Sequence, residues 1–77
     1  MGSVIKDIVG KTIKGIVVKK SDIKNPTSQI FLLFNDNTYY EFYCDSIIRG
    51  TNGIDNGGMD TVKNYMPESQ IILEYEI

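Results

Sequence analysis

The sequence of 77 residues has no histidine, no tryptophan and a single cysteine, Cys44. The absence of histidine removes the commonest general base and the commonest metal ligand of proteins. A single cysteine excludes an intramolecular disulfide framework and is typical of a reducing compartment, so we expect a cytoplasmic protein. Because Cys44 has no histidine to deprotonate it and is followed by Asp45, nucleophilic catalysis is not expected. We therefore expect a protein that is not an enzyme and that binds no metal or cofactor.

Long apolar runs, repeats and low-complexity tracts are also missing. No apolar run approaches the ~20 residues that cross a bilayer, and Lys6 and Asp7 interrupt the first apolar residues where a signal peptide needs a continuous core. Hydrophobic residues make up 42% of the chain and charged residues 23%, which is the balance of an ordinary globular protein. We expect residues 1–77 to form one small domain without membrane contact. Residues 1–3 could be native or a cloning remnant and carry no functional argument.

Charge is modest overall, with a formal net charge of −2, but it is unevenly distributed. Residues 1–24 hold six lysines and two aspartates, whereas the rest of the chain holds Arg49 and Lys63 with eight acidic residues. This asymmetry predicts either a bipolar surface that favours complementary association or lysines on an exposed strand that discourage edge pairing. With one arginine and a net negative charge, the composition does not favour nucleic-acid binding.

A helical turn followed by a strand is predicted at the N-terminus. Ser3 can cap a turn over residues 3–10, and Gly10 supplies a left-handed stop. Residues 12–20 are rich in β-branched side chains, which favour a strand. Gly15 in the middle of this strand predicts a bulge or a close backbone approach.

The clearest predicted element is a β-hairpin. Residues 29–34 and 38–44 are apolar and aromatic, and they flank an Asn-Asp-Asn turn whose residue types tolerate positive φ. With Asp36 and Asn37 at the centre of the turn, Phe34 would face Tyr39. One face then carries Phe31, Leu33, Tyr40, Phe42 and Cys44, and the other carries Ile30, Leu32, Phe34, Tyr39, Glu41 and Tyr43. A slip by one residue would exchange the partners and still leave both faces largely apolar.

The rest of the chain completes a small α+β domain. Residues 21–28 and 45–58 are predicted loops, residues 59–66 a short helix ended by proline, and residues 70–77 a half-buried strand. We expect a single antiparallel sheet of three to five strands with one or two short helices. The opening of the sequence, a helical turn followed by Gly10-Lys11 and a bent strand, resembles the start of Sm-like and other SH3-like small barrels. The resemblance is confined to that segment and implies an SH3-like or partly open barrel.

The aromatic hairpin predicts an interaction module. One short helix covers about 300–400 Å² of a sheet, and larger exposed apolar patches are rare on true monomers. The predicted interface residues are therefore those of the second face, Ile30, Leu32, Phe34, Tyr39 and Tyr43. We expect a homodimer or small oligomer that binds or occludes a partner protein, with edge pairing through residues 12–20 or 70–77 as a further contact. The competing interpretation is that barrel curvature or the N-terminal helix buries both faces within the chain.

A glycine-rich stretch, residues 50–58, carries the alternative functional hypothesis. Glycines before a helix allow an anion to approach free backbone N–H groups. The predicted ligand-binding residues for a small anionic or nucleotide-like ligand are Arg49, Gly53, Gly57, Gly58, Lys63 and Tyr65, with Tyr43 as a further orienting group. The nearby Asn52, Asp55, Asn56 and Asp60 do not have the spacing of a calcium loop. We interpret Glu74 and Glu76, two apart on a strand, as a solvated face rather than an acid–base pair.

Overall fold

A computed structural model describes residues 3–23 and 25–77, with side chains from residue 6 onward. Two short helices and six strands follow in the order α1 (Ser3–Ile8), β1 (Ile13–Lys20), β2 (Ser28–Phe34), β3 (Thr38–Cys44), β4 (Ile48–Gly50), β5 (Asp55–Asn56), α2 (Met59–Asn64) and β6 (Gln70–Glu76). The predicted α+β class and the number of helices are confirmed. The predicted cap by Ser3 lies outside the described side chains. No helix in the described ranges has the length and apolar character that crossing a membrane requires.

All pairings in the sheet are antiparallel, and the strand order is β4-β3-β2-β1-β6, with β5 pairing beside β4 on the outer edge of β3. The prediction of three to five strands was too low, because residues 45–58 contain two very short strands. The glycines and asparagines of this segment are typical of loops, so the sequence predicted a loop there. The expected barrel is also wrong. β4 and β6 stand at opposite ends of the strand order, so the sheet stays open.

Strand β1 lies in the interior of the sheet, between β2 and β6. A register shift at Gly15 confirms the predicted bulge, and a Cβ at that position would approach the main-chain oxygen of Tyr75 to 3.0 Å. Because both edges of β1 are already paired, the lysines of residues 12–20 do not guard an exposed edge, and this strand cannot pair with another molecule. Of the two segments predicted for edge pairing, the one that lies at an edge of the sheet is residues 70–77, in β6.

The β2–β3 hairpin forms as predicted, but its register is one residue away from the predicted one. Leu33, rather than Phe34, is paired with Tyr39, while Phe34 pairs with Ile13 of β1. A two-residue turn of type I′ needs positive φ at both central positions, yet Asn37 alone of the two has it, at 63°. The wider turn shifts the pairing of β3 with β2 by one residue from the predicted register. Each side chain of β3 therefore points to the side of the sheet opposite to the predicted one.

Helix α2 packs against one side of the sheet and forms the core with it. Val62 is fully buried against Val17, Phe31, Leu33 and Tyr39, with Met59 and Ile71 packed around this cluster. We call this side of the sheet the covered face. The molecule measures 34 × 30 × 16 Å, and among the described residues the main contact of a helix with the sheet is that of α2 with β1.

Folding also removes much of the charge asymmetry that the sequence displays. Lys11 forms an ion pair with Asp36, and Lys14 lies 3.3 Å from Glu76. Each pair joins a lysine of the basic N-terminal third to a carboxylate of the acidic remainder. These pairings do not support a strongly bipolar surface.

Candidate functional site

The side of the sheet opposite α2 carries two rows of side chains that run across four strands. Residues paired across neighbouring strands point to the same side of a sheet, so the register defines the rows directly. The first row is Leu73, Val18, Ile30 and Phe42, and the second is Tyr75, Ile16, Leu32 and Tyr40. We call these eight residues the open face. None of them carries a charge.

Much of the open face is accessible to solvent. Ile30 is 43% exposed, Leu73 is 53% exposed and Tyr75 is 70% exposed. Two shallow depressions lie on it, a cavity of about 190 Å³ between Ile16 and Tyr75 and one of about 200 Å³ beside Ile30 and Phe42. An apolar surface with such depressions can accept side chains of another apolar surface.

One end of the open face is closed by the chain itself. Tyr40 is 2% exposed, and its hydroxyl donates a hydrogen bond to the main-chain oxygen of Thr51 at 2.7 Å. The ring of Phe42 meets the ring of Tyr40 edge to face, with their centroids 5.1 Å apart. The accessible part of the open face therefore extends from β6 to β2 and the outer end of β3.

The register divides the five predicted interface residues between different surroundings. Ile30 and Leu32 lie on the open face. Phe34 is buried at the end of β2, where the ammonium group of Lys11 lies 5.4 Å from the centre of its ring. Tyr39 and Tyr43 point to the covered face, because the register places them opposite Leu33 and Gln29.

Sequence reasoning missed most of the open face. Ile16, Val18, Phe42, Leu73 and Tyr75 belong to it and were not among the predicted interface residues. The alternation of Leu73, Tyr75 and Ile77 along the last strand was visible in the sequence. What was missing was the information that β6 lies beside β1 with these side chains pointing away from the helix.

The structure does not gather the predicted anion-binding residues into one place. Arg49 belongs to the edge strand β4 and lies 3.7 Å from Asp45, whereas Lys63 is on α2 and lies 3.1 Å from Glu74 of β6. Four strand spacings of ~4.8 Å place β4 and β6 about 19 Å apart. Gly53 lies in the exposed loop before β5. Gly58 is the N-cap of α2 and Tyr65 is its C-cap, so these two residues lie at opposite ends of the helix.

Gly57 and Gly58 do line a cavity of about 480 Å³ at the start of α2. The charged residues that line this cavity are Lys14, Asp60 and Glu76, so it carries two carboxylates and one ammonium group. This balance repels an anionic ligand rather than attracting one.

A cluster of buried polar side chains lies on the covered face beneath the end of α2. Lys19 is fully buried, and its ammonium group donates hydrogen bonds to the main-chain oxygens of Val62 (3.1 Å), Lys63 (3.4 Å) and Tyr65. Burial lowers the pKa of Lys19, against the opposing influence of the carboxylates of Glu68 and Glu41. The cationic side chain thus holds the C-terminal end of the helix, where carbonyl oxygens lack partners.

Glu41 is the carboxylate of this cluster and is 7% exposed. Its Oε2 accepts a hydrogen bond of 2.8 Å from the side-chain amide of Gln29. Burial, together with the charge of Asp55, raises the pKa of Glu41, while the Gln29 hydrogen bond and the charge of Lys19 act in the opposite direction. Perturbed carboxylates beside a cavity mark a candidate binding site.

Comparisons with known proteins found no matching family model, no similar curated protein and no similar solved structure. The open face and the buried polar cluster are therefore the features from which a function can be inferred.

Proposed function

We propose that this protein is a non-enzymatic interaction module that associates with a second copy of itself through the open face. The observation that carries the proposal is the pair of uncharged rows that cross the sheet, with Ile30, Leu73 and Tyr75 exposed to solvent. Association would in turn present or occlude surfaces for a partner protein. The unpaired Cys44 supports a reducing location, which we take to be the cytoplasm.

The balance of buried and exposed side chains supports association. Within the described side chains, seven hydrophobic residues are buried, whereas eleven large hydrophobic residues are exposed. A chain of this length rarely gains enough from its own core to offset the chain entropy that folding costs. A second layer on the open face would bury three of these exposed residues, Ile30, Leu73 and Tyr75.

A second copy is the partner that suits this surface. Two identical open faces packed at the usual sheet separation of ~10 Å make the core of a β-sandwich. Neither row contains a charged residue, and the two lysines that border the face are paired, Lys14 with Glu76 and Lys20 with Asp22, so such packing need not bury an unpaired charge. A two-fold axis brings both apolar faces together in one step and closes the assembly.

The dimensions of the face indicate how strong this association should be. Four strands at ~4.8 Å and seven residues at ~3.3 Å give a flat area of about 440 Å² per copy. This lies within the ~300–600 Å² of the largest, often functional, patches on monomers and below the ~800 Å² per partner of a standard interface. We therefore expect a dimer that dissociates on dilution.

Sedimentation velocity between about 1 and 500 µM covers the affinities expected for an interface of this size. We expect a shift from monomer to dimer for the native chain and a monomer throughout for Leu73→Asp. Ile23→Asp is the matched control, because Ile23 is 79% exposed in the segment between β1 and β2 and lies off both rows. A native chain that stays monomeric across the range, or equal association by both variants, would overturn the proposal.

The cysteine distinguishes association through the face from association through the β6 edge. Cys44 is half-buried, pairs with Ser28 at the end of β3 and lines the depression beside Ile30 and Phe42. If the open faces meet, the rate at which a thiol reagent modifies Cys44 should fall as the protein concentration rises. A rate that is independent of concentration, in samples that sediment as dimers, would show pairing through β6 and contradict the open-face dimer.

A small anionic ligand at the 50–58 loop is the alternative function, and it has less support. The cavity beside Gly57 and Gly58 carries the carboxylates of Asp60 and Glu76. Thermal unfolding in the presence of nucleotides and phosphorylated sugars tests this alternative. We expect no change in the unfolding midpoint, and a stabilisation that Lys63→Met abolishes would favour the ligand hypothesis instead.

A further inference from the structure

A cavity on the covered face lies between the C-terminal end of α2 and strand β3. Its volume is about 180 Å³, and its lining residues are Pro26, Gln29, Glu41, Tyr43, Thr51 and Tyr65. Sites for drug-sized ligands have volumes of about 300–1,000 Å³. The cavity therefore matches a group of the size of one amino-acid side chain. It lies on the opposite side of the sheet from the proposed dimer interface.

We propose that this cavity binds an organic cation, an ammonium or guanidinium group on an alkyl stem, with Glu41 as its counter-ion. Glu41 accepts a hydrogen bond from the neutral amide of Gln29. An ionised carboxylate offers about four acceptor positions, so acceptor capacity remains for a cationic donor. A hydrogen bond between a cation and a carboxylate is about twice as strong as one between neutral groups.

The cation already present in the cluster does not fill this role. An ammonium group has three N–H donors, and those of Lys19 are directed to three carbonyl oxygens at the end of α2. Lys19 attracts Glu41 through space but has no donor left for it. The structure thus contains a buried carboxylate that accepts from a neutral amide, while the ammonium group of Lys19 is directed to the end of α2.

The surroundings add further negative potential. The carboxylates of Glu41 and Glu68 both act on Lys19, and that of Asp55 acts on both Glu41 and Tyr65. Negative potential from the carboxylate of Asp55 thus reaches Glu41 and Tyr65 in the cavity lining, which favours a cation there.

Two tyrosines give the cavity walls that suit a cation with an apolar stem. Tyr43 and Tyr65 both line it, and aromatic faces attract ammonium and guanidinium groups. The ring of Tyr65 is held edge to face by Phe31, with their centroids 6.1 Å apart. This wall is therefore partly positioned before a ligand arrives, which reduces the entropy cost of binding.

NMR titration of the native chain with three small amides tests the proposal. The probes are the N-acetyl N-methylamides of lysine, arginine and norleucine, the last being the uncharged control for the alkyl stem. We expect amide shifts around Glu41, Tyr43 and Tyr65 with the two cationic probes, with dissociation constants of about 1 mM or below, and binding at least ten-fold weaker for norleucine. Equal binding of norleucine, or no shifts around the cavity with either cation, would overturn the proposal.

Variants assign the effect to the carboxylate. We expect Glu41→Gln to weaken binding of the lysine probe by about ten-fold or more. Its side-chain oxygen can still accept from Gln29. Asp60→Asn removes one negative charge at the other end of α2 and should leave binding within about two-fold of native, as expected for a screened surface charge. Tyr65→Leu is a second test, which removes the aromatic wall and keeps the main-chain oxygen that Lys19 binds, and it should also weaken binding. Native-like binding by both Glu41→Gln and Tyr65→Leu would place the cation elsewhere and overturn the proposal.

Titration with free butylamine distinguishes two sources of the organic cation, a basic side chain of a peptide and a free small amine. If the biological ligand is a basic side chain of a peptide, the lysine amide should bind more tightly than butylamine, because its flanking amides contact the rim. If the ligand is a small amine, butylamine should bind at least as tightly. Either result supports the cation site. If neither the lysine amide nor butylamine binds, the proposal is contradicted.

Discussion

The ammonium group of Lys19 on β1 lies 3.1 Å from the main-chain oxygen of Val62 on α2. Together with its bonds to the next carbonyl oxygens, this contact joins the end of the helix to the centre of the sheet. Val62 itself is buried in the core cluster. One strand position therefore supplies both the anchor of the helix and the cation of the buried polar cluster.

Replacing this lysine should destabilise the protein. In Lys19→Met the alkyl stem is retained, but the last carbonyl oxygens of α2 lose their donor. We expect a loss of about 1–3 kcal/mol in the free energy of unfolding, the cost of leaving buried polar groups unsatisfied, measured by urea denaturation. The control is Lys20→Met, because Lys20 lies on the other side of β1 beside Asp22, at 3.8 Å, and is partly exposed. Its effect should be below about 0.5 kcal/mol, and equal effects of the two changes would contradict the anchoring role.

The carboxyl group of Glu41 should make stability depend on pH in a defined direction. Its pKa is raised in the folded state above the usual value of 4.5, first of all by burial. The folded state therefore binds the proton more tightly than the unfolded state, so this contribution to stability is complete below about pH 4.5 and is lost as the pH rises through the folded pKa.

Glu41→Gln should remove that dependence. We expect the variant to gain stability relative to the native chain as the pH is raised from about 4 to 7, because the native carboxyl must ionise in a buried position and the amide need not. Urea denaturation at several pH values measures the difference. A difference that stays constant with pH, or that shrinks towards neutral pH, would show that burial does not control this group.

The hydroxyl of Tyr40 should stabilise the segment that closes one end of the open face. Tyr40→Phe removes the hydrogen bond to Thr51 and leaves a partly buried main-chain oxygen without that donor. We expect a loss of about 0.5–1.5 kcal/mol in the free energy of unfolding and faster amide exchange around Thr51. Tyr75→Phe is the control, because Tyr75 is largely exposed and should change stability by less than about 0.5 kcal/mol. The role of the hydroxyl would be refuted by a Tyr40→Phe variant that is as stable as the native chain.

A side chain at Gly57, two residues before the start of α2, should destabilise the protein. Gly57 has φ of 139°, and a Cβ there would lie 2.6 Å from the hydroxyl oxygen of Thr61. We expect Gly57→Ala to cost about 1–3 kcal/mol, from backbone strain and steric overlap. Gly53 has nothing within 4 Å of an added Cβ, so Gly53→Ala should be close to neutral. Thermal unfolding of the two variants measures the difference. Equal unfolding midpoints for Gly57→Ala and Gly53→Ala would contradict the predicted strain at Gly57.

Several elements could be predicted from the sequence because their signals are local. The β-branched run around Gly15 predicted a strand with a bulge, and the proline at position 67 predicted the end of the second helix. The short strands β4 and β5 could not be predicted in the same way. A strand of two or three residues has no hydrophobic period of its own, and it exists because β3 offers it an edge.

The candidate sites show the same division. The excess of apolar side chains was visible in the composition of the hairpin. Which of them share a surface depended on a shift of one residue at Asn37, which moved Tyr39 and Tyr43 to the covered face. The buried cluster of Lys19, Gln29 and Glu41 was not predicted, since charged residues on strands are usually assigned to solvent.

The sequence by itself determined that this chain makes strands with apolar side chains on both surfaces, because side-chain alternation and β-branching act within a few residues. Only the tertiary structure decided which surface α2 covers and which remains open. That choice depends on Val62 packing against β1 and on Lys19 binding the end of the helix, contacts between positions more than forty residues apart. Local preferences carry no information about such distant pairs, so the exposed apolar face could be located only after folding had placed the helix.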